Sequence, residues 1–141
     1  MTTNSADSEV RTIVTFGYGN RKNYDVFLDY IDEFDVSYVI DVRLSPRAWS
    51  RKWYRDSLEK LCSSRDISYL SRVSLGNLSG CSDWIPPKVE EAEKTLSEVA
   101  KILESENVLL LCAEMDFSRC HRTEVASKLQ ALTGALVKHL E

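Results

Sequence analysis

Glycine and proline are scarce in this chain, five and three in 141 residues, which excludes a collagen-like, linker-rich or low-complexity protein. No run of about 18 apolar residues occurs, so no membrane-spanning helix is expected. The opening MTTNSADSEV has neither a basic start nor an apolar stretch, which argues against a secretory leader and for a cytoplasmic location. Positive charge is also short: Lys+Arg 18 against Asp+Glu 22 leaves −4, and the sequence pI is about 5.3. Such a balance argues against an overall field that would draw nucleic acid non-specifically. The four cysteines, Cys62, Cys81, Cys112 and Cys120, form no Cys-x-x-Cys pair. Free thiols are therefore expected, with no disulfide framework, no metal and no cofactor.

What is present is globular in proportion, with 43% hydrophobic and 28% charged residues, enough for one core. Residues 1–9 are polar, lack periodicity and read as a loose tail before a single domain over 10–141. VRTIVTF (10–16) is short and β-branched, and NYDVFLDYIDEF (23–34) sets Val26, Phe27, Tyr30, Ile31 and Phe34 at helical spacing. The pattern repeats with strand 36–42, helix 54–65 and strand 67–71. A loop over 72–87 follows, then an acidic helix over 87–106 and the most apolar strand, 107–112. The stretch RCHRTEVASKLQAL reads as a helix stopped at Thr133-Gly134, and ALVKHL as a last strand. This alternation predicts a three-layer α/β/α domain with a mostly parallel sheet of about five strands.

Ligands of such sheets bind at the carboxyl ends of the strands. Those ends here are GYGNRK (17–22), DVRLSPRAW (41–49), the loop from Arg72, and CAEMDFSRCHR (112–122), which together hold nearly every unusual polar residue. From Arg43 to Arg55 the chain carries five basic residues and no acidic one, interleaved with Trp49, Trp53 and Tyr54. Charge for phosphate and flat faces for bases suit a single-stranded nucleic acid, although the aromatics serve equally well as core caps.

Asn20 after a Gly-rich turn, Asp41-Val42-Arg43 with Pro46, Leu75-Gly76, Cys112-Ala113-Glu114 and Cys120-His121-Arg122 together resemble the domain-of-unknown-function 488 family, over about residues 12–140. The resemblance implies a compact α/β fold and a shared polar pocket, without an established substrate. Two positions depart from its pattern: Tyr18 stands where a His commonly follows the first Gly, and Asn77 where a second Gly follows Leu-Gly. A His near the last strand's end, here His139, also fits the pattern.

Three uses of this edge are open. In the first, an enzyme-like pocket holds an anionic, phosphate-containing ligand, a nucleotide or nucleic-acid end, between Arg43, Arg122, Gly19 and Asn20, with Asp41 and Glu114 as proton carriers. Arg51, Gly76, Cys120 and His121 complete the expected ligand contacts. In the second, a non-catalytic nucleic-acid or partner-binding module uses the basic aromatic loop 43–55, and the two motifs form an internal polar clamp in which Arg122 pairs with Asp41 or Glu114. In the third, Cys112 is a nucleophilic thiol above a helix terminus. Six residues separate Cys112 from Arg119, none a glycine, so the turn is not a phosphatase loop.

Overall fold

A computed structural model of the chain describes residues 10–19, 21–45, 50–79 and 83–140. The expected tail, Asn20, Arg47, Trp49 and Cys81 lie outside the described residues. Five strands, β1 (Thr12–Gly17), β2 (Val36–Asp41), β3 (Ser68–Ser71), β4 (Asn107–Cys112) and β5 (Leu136–His139), alternate with four helices. The helices are α1 (Asp25–Glu33), α2 (Arg55–Ser63), α3 (Val89–Ile102) and α4 (Arg122–Thr133). All strand pairings are parallel, in the order β3-β2-β4-β1-β5.

Side chains alternate across the sheet and divide the core in two. Leu109 and Leu111 of β4 join Val14, Phe16 and Val39 under Phe27 and Ile31 of α1 and Leu58 and Cys62 of α2. Val108, Leu110 and Cys112 join Ile13, Ile40 and Val42 under Leu96 and Val99 of α3 and Val125 and Leu129 of α4. β4 is thus apolar on both faces because helices cover both, as the run NVLLLC requires.

The connectivity also shapes the edge. β1 and β2 lead to α1 and α2 on one face, whereas β4, which lies between them, leads to α4 on the other. Chains leaving neighbouring strands toward opposite faces open a crevice at the strand ends. Here two crevices flank β4.

Element boundaries differ from expectation at the helix ends. The acidic helix starts at Val89, after Lys88 in extended backbone, and ends at Ile102. The last helix begins only at Arg122, because Asp116 caps a short 3-10 turn over Phe117–Arg119 by accepting from the Ser118 amide at 3.0 Å. Further 3-10 turns occupy Arg51–Trp53 and Val73–Leu75 inside the expected loops.

Candidate functional site at the carboxyl edge of the sheet

Asp41 ends β2 and Arg43 follows two residues on, so both side chains leave on the face of Val39, under α1 and α2. Asp41 is wholly buried and takes a two-pronged pair from Arg43, Nε to Oδ1 at 2.8 Å and the terminal nitrogen to Oδ2 at 2.6 Å. The Tyr69 hydroxyl also donates to Asp41. The other terminal nitrogen of Arg43 donates to the Trp53 carbonyl at 2.7 Å and the Tyr18 hydroxyl at 3.3 Å. Tyr18 lies flat on Trp53, with ring centres 5.0 Å apart, and Trp53 donates its indole N–H to the Arg21 carbonyl at 2.9 Å. Burial opposes the Arg43 charge, but the hydrogen bonds and charge of Asp41 outweigh it and hold the guanidinium protonated. Burial, then the neighbouring Asp41 carboxylate, pushes the Tyr69 phenol up. Asp41, one candidate proton carrier, is paired here with Arg43, and Trp53, open to use as a stacking face or a core cap, packs in the core.

Cys112 ends β4 on the opposite face, the face of α3 and α4. The 113–121 turn brings Cys120 and His121 back over it, and the ligating atoms of the three buried side chains lie within 4.8 Å of one another. His121 Nε2 faces two carbonyl oxygens, Val42 at 3.0 Å and Leu75 at 2.9 Å. Neither oxygen can donate, so Nε2 carries the proton, and Nδ1 turns toward Cys120 Sγ at 3.9 Å. The two thiols share hydrogen-bonding capacity unequally. The hydrogen bond from the Cys112 thiol, with the amide and charge of Arg122, favours a thiolate at Cys120 against the cost of burial, while hydrogen bonding to Cys120 and burial push the Cys112 thiol well up. Cys112, the candidate nucleophile, thus lies against Cys120 and His121 at the end of β4.

These three side chains form the floor of a cleft of about 310 Å³ between the ends of β2 and β4. Arg43, Leu44, Ser45, Asn77, Ala113, Glu114 and Arg119 complete its lining. Asn77 also fastens the loop beyond β3, its side-chain oxygen accepting from the amides of Ser79 at 3.2 Å and Ile85 at 2.8 Å. Gly76 is needed for packing: a Cβ there would stand 2.7 Å from the Leu44 backbone, and its carbonyl accepts from Trp84 at 3.0 Å.

Arg122 is fully buried and points at the turn above β4, donating to the carbonyls of Glu114 and, at 3.1 Å, Met115. Its expected carboxylate partner is thus replaced by main-chain oxygens, which the first turn of α4 reaches because the 113–119 turn folds over it. Gly17 permits this approach, since a Cβ there would meet the Glu114 carbonyl oxygen at 1.8 Å. Gly19, with φ +53°, lies beside Met115 and borders a second cleft of about 400 Å³ between β1 and β4, lined with Ala113, Glu114 and Met115. Glu114 lines both clefts, and its side chain accepts from the Asp116 amide at 3.1 Å.

The edge therefore gathers Cys112, Cys120, His121 and Glu114 in one cleft, sets Gly19 beside the other, and leaves Arg51 exposed on the 3-10 turn before α2. Arg119 and Asn77 are lining residues that the sequence reading did not select. The signal for Arg119 was its place immediately before Cys120 in the turn, and for Asn77 its place directly after Leu75-Gly76. No helix among the described residues is long and apolar enough to cross a membrane.

No curated protein and no solved structure matches the chain. The sequence profile of the Domain of unknown function DUF488 matches residues 23–129, from the start of the first helical segment to the middle of α4, taking in both cysteine motifs. With the greater part of its length so matched, the chain belongs to the DUF488 family.

Proposed function

We propose that the protein is a small enzyme that works at the cleft between β2 and β4 on an anionic, phosphate-containing ligand, a nucleotide or nucleic-acid end. The observation that carries this reading is the convergence of Cys112, Cys120 and His121 on the floor of one open cleft that Glu114 and Arg119 also line. Titratable side chains gathered under an opening are the pattern of a working site. Arg119 is exposed at the rim, and Arg122 adds a fixed positive charge beneath the turn. Arg43 contributes little net field there, since Asp41 offsets its charge at hydrogen-bond distance. Glu114 is the carboxylate in reach of a ligand in this cleft and takes the role of proton carrier. Free thiols at Cys62, Cys112 and Cys120 suit a reducing compartment, and we assign the protein to the cytoplasm.

A thermal-shift panel of inorganic phosphate, nucleotides and short single-stranded oligonucleotides, run on the native chain and on Arg119→Ala, tests this reading. A ligand at about 100 times its Kd adds about 2.7 kcal/mol of stability. The expected result is a shift with at least one phosphate compound that weakens in the variant. Silence across the panel overturns the reading. A shift with oligonucleotides alone that is kept in Arg119→Ala and lost in Arg51→Glu transfers function to the basic turn.

A further inference from the structure

Cys112, Cys120 and His121 come from two separate motifs, yet their ligating atoms lie within 4.8 Å of one another. A tetrahedral zinc ion with sulfur ligands at about 2.3 Å and nitrogen at about 2.0 Å needs its donors roughly 3.5 to 3.8 Å apart. The 3.9 Å between Cys120 Sγ and His121 Nδ1 is already close to this. The imidazole is also set as a metal-bound one must be. Its Nε2–H is fixed on the Val42 and Leu75 carbonyls, which orients the ring and leaves the Nδ1 lone pair toward the sulfurs. Two thiolates side by side in a buried place repel each other, and a divalent cation between them removes that repulsion with no net charge left over.

We infer that Cys112 Sγ, Cys120 Sγ and His121 Nδ1 form a three-ligand site for a thiophilic divalent cation, zinc first, with its fourth position open to the cleft. Sulfur and imidazole donors select such a cation over magnesium or calcium. Three protein ligands with one open position is the arrangement of a working zinc, whereas structural zinc is closed by four. Among the described residues Glu114 is the only carboxylate lining the cleft, so it is the group placed to take a proton from a water at the fourth position. This use of the fourth position rests on the cleft reading above; the cation site itself does not.

The test uses the full chain, stripped with a chelator and kept reduced without oxygen, and titrates it with Co²⁺. The expected result is a sulfur-to-cobalt charge-transfer band with intense tetrahedral visible bands, saturating at one cation per chain and displaced by Zn²⁺. Cys112→Ser and Cys120→Ser each lower the charge-transfer intensity by about half, and Cys62→Ala, in the layer on the other side of the sheet, leaves it unchanged. The native chain alone decides the main point, so a variant that misfolds does not blunt the test. No charge-transfer band, together with no zinc retained in native mass spectrometry, overturns the inference. The phosphate panel is then added to the cobalt form. Altered visible bands support the open fourth position, and a stability shift that leaves them unchanged overturns it. Cobalt bound under a silent panel leaves the cation site standing and removes the cleft reading, whereas a ligand bound by metal-free protein that takes up no cobalt does the reverse.

Discussion

Asp41 and Arg43 illustrate how a charged pair at a strand end becomes part of the scaffold. Asp41 is wholly buried and Arg43 nearly so, and each satisfies the other with two hydrogen bonds. Asp41→Asn leaves a buried guanidinium without its counter-charge, and the expected loss is about 3–5 kcal/mol, read from urea unfolding. Gly17→Ala is expected to be comparably damaging for a different reason, because its methyl group has the Glu114 backbone in its way at 1.8 Å. His139 offers a prediction in pH. Its Nδ1 is 2.8 Å from the Thr15 hydroxyl and its ring stacks on Phe117 at 4.5 Å. Burial, then the charge of Arg122, lowers its pKa from the ordinary 6.5, so the folded state favours the neutral ring. The resulting stability is present above pH 6.5 and lost as pH falls through the lower folded value, because the unfolded chain then binds the extra proton. Below pH 6.5 the unfolding free energy of the native chain is therefore expected to fall more steeply than that of His139→Gln.

Elements follow their sequences most closely where one periodicity dominates. α4 ends at Gly134, whose φ of +75° lies in the left-handed region with nothing near its missing Cβ. Gly134→Ala is thus a test of backbone strain alone, expected to cost about 1 kcal/mol and roughly 4 °C in Tm. The strand-and-helix alternation and the buried character of β4 were legible because the apolar spacing of NYDVFLDYIDEF and the unbroken run NVLLLC have few other uses. The site was legible only in part. Sequence placed the motifs on one edge, but spacing along a chain does not say which neighbour a side chain meets across a parallel sheet. Asp41 and Cys112 end adjacent strands and yet face opposite layers, so the carboxylate went to Tyr69 and Arg43 while the thiol went to Cys120. The partner of Arg122 was hidden for the same reason: a main-chain carbonyl has no letter in the sequence.

Across the whole molecule, the order β3-β2-β4-β1-β5 makes β4 the middle strand, bonded on both sides and covered on both faces. Its neighbours pass to one layer of helices while it passes to the other, and this divergence opens both clefts at the same edge. The two have different walls, Met115 and Gly19 in one and Asn77 and Arg119 in the other, with Glu114 between them. Met115→Ala is expected to change a ligand shift that belongs to the cleft between β1 and β4 and leave untouched one that belongs to the cleft between β2 and β4, which the thermal-shift panel reads directly. The central position of β4 also has a consequence in time. Amide protons of Val108 to Leu111 are expected to exchange only when the sheet itself opens, and those of residues 113–119 and 77–79 by local opening of the turns. Hydrogen exchange should accordingly find β4, beneath the cleft, among the slowest parts of the protein and the turns at its rim among the fastest, so that whatever enters meets walls able to rearrange above a fixed base.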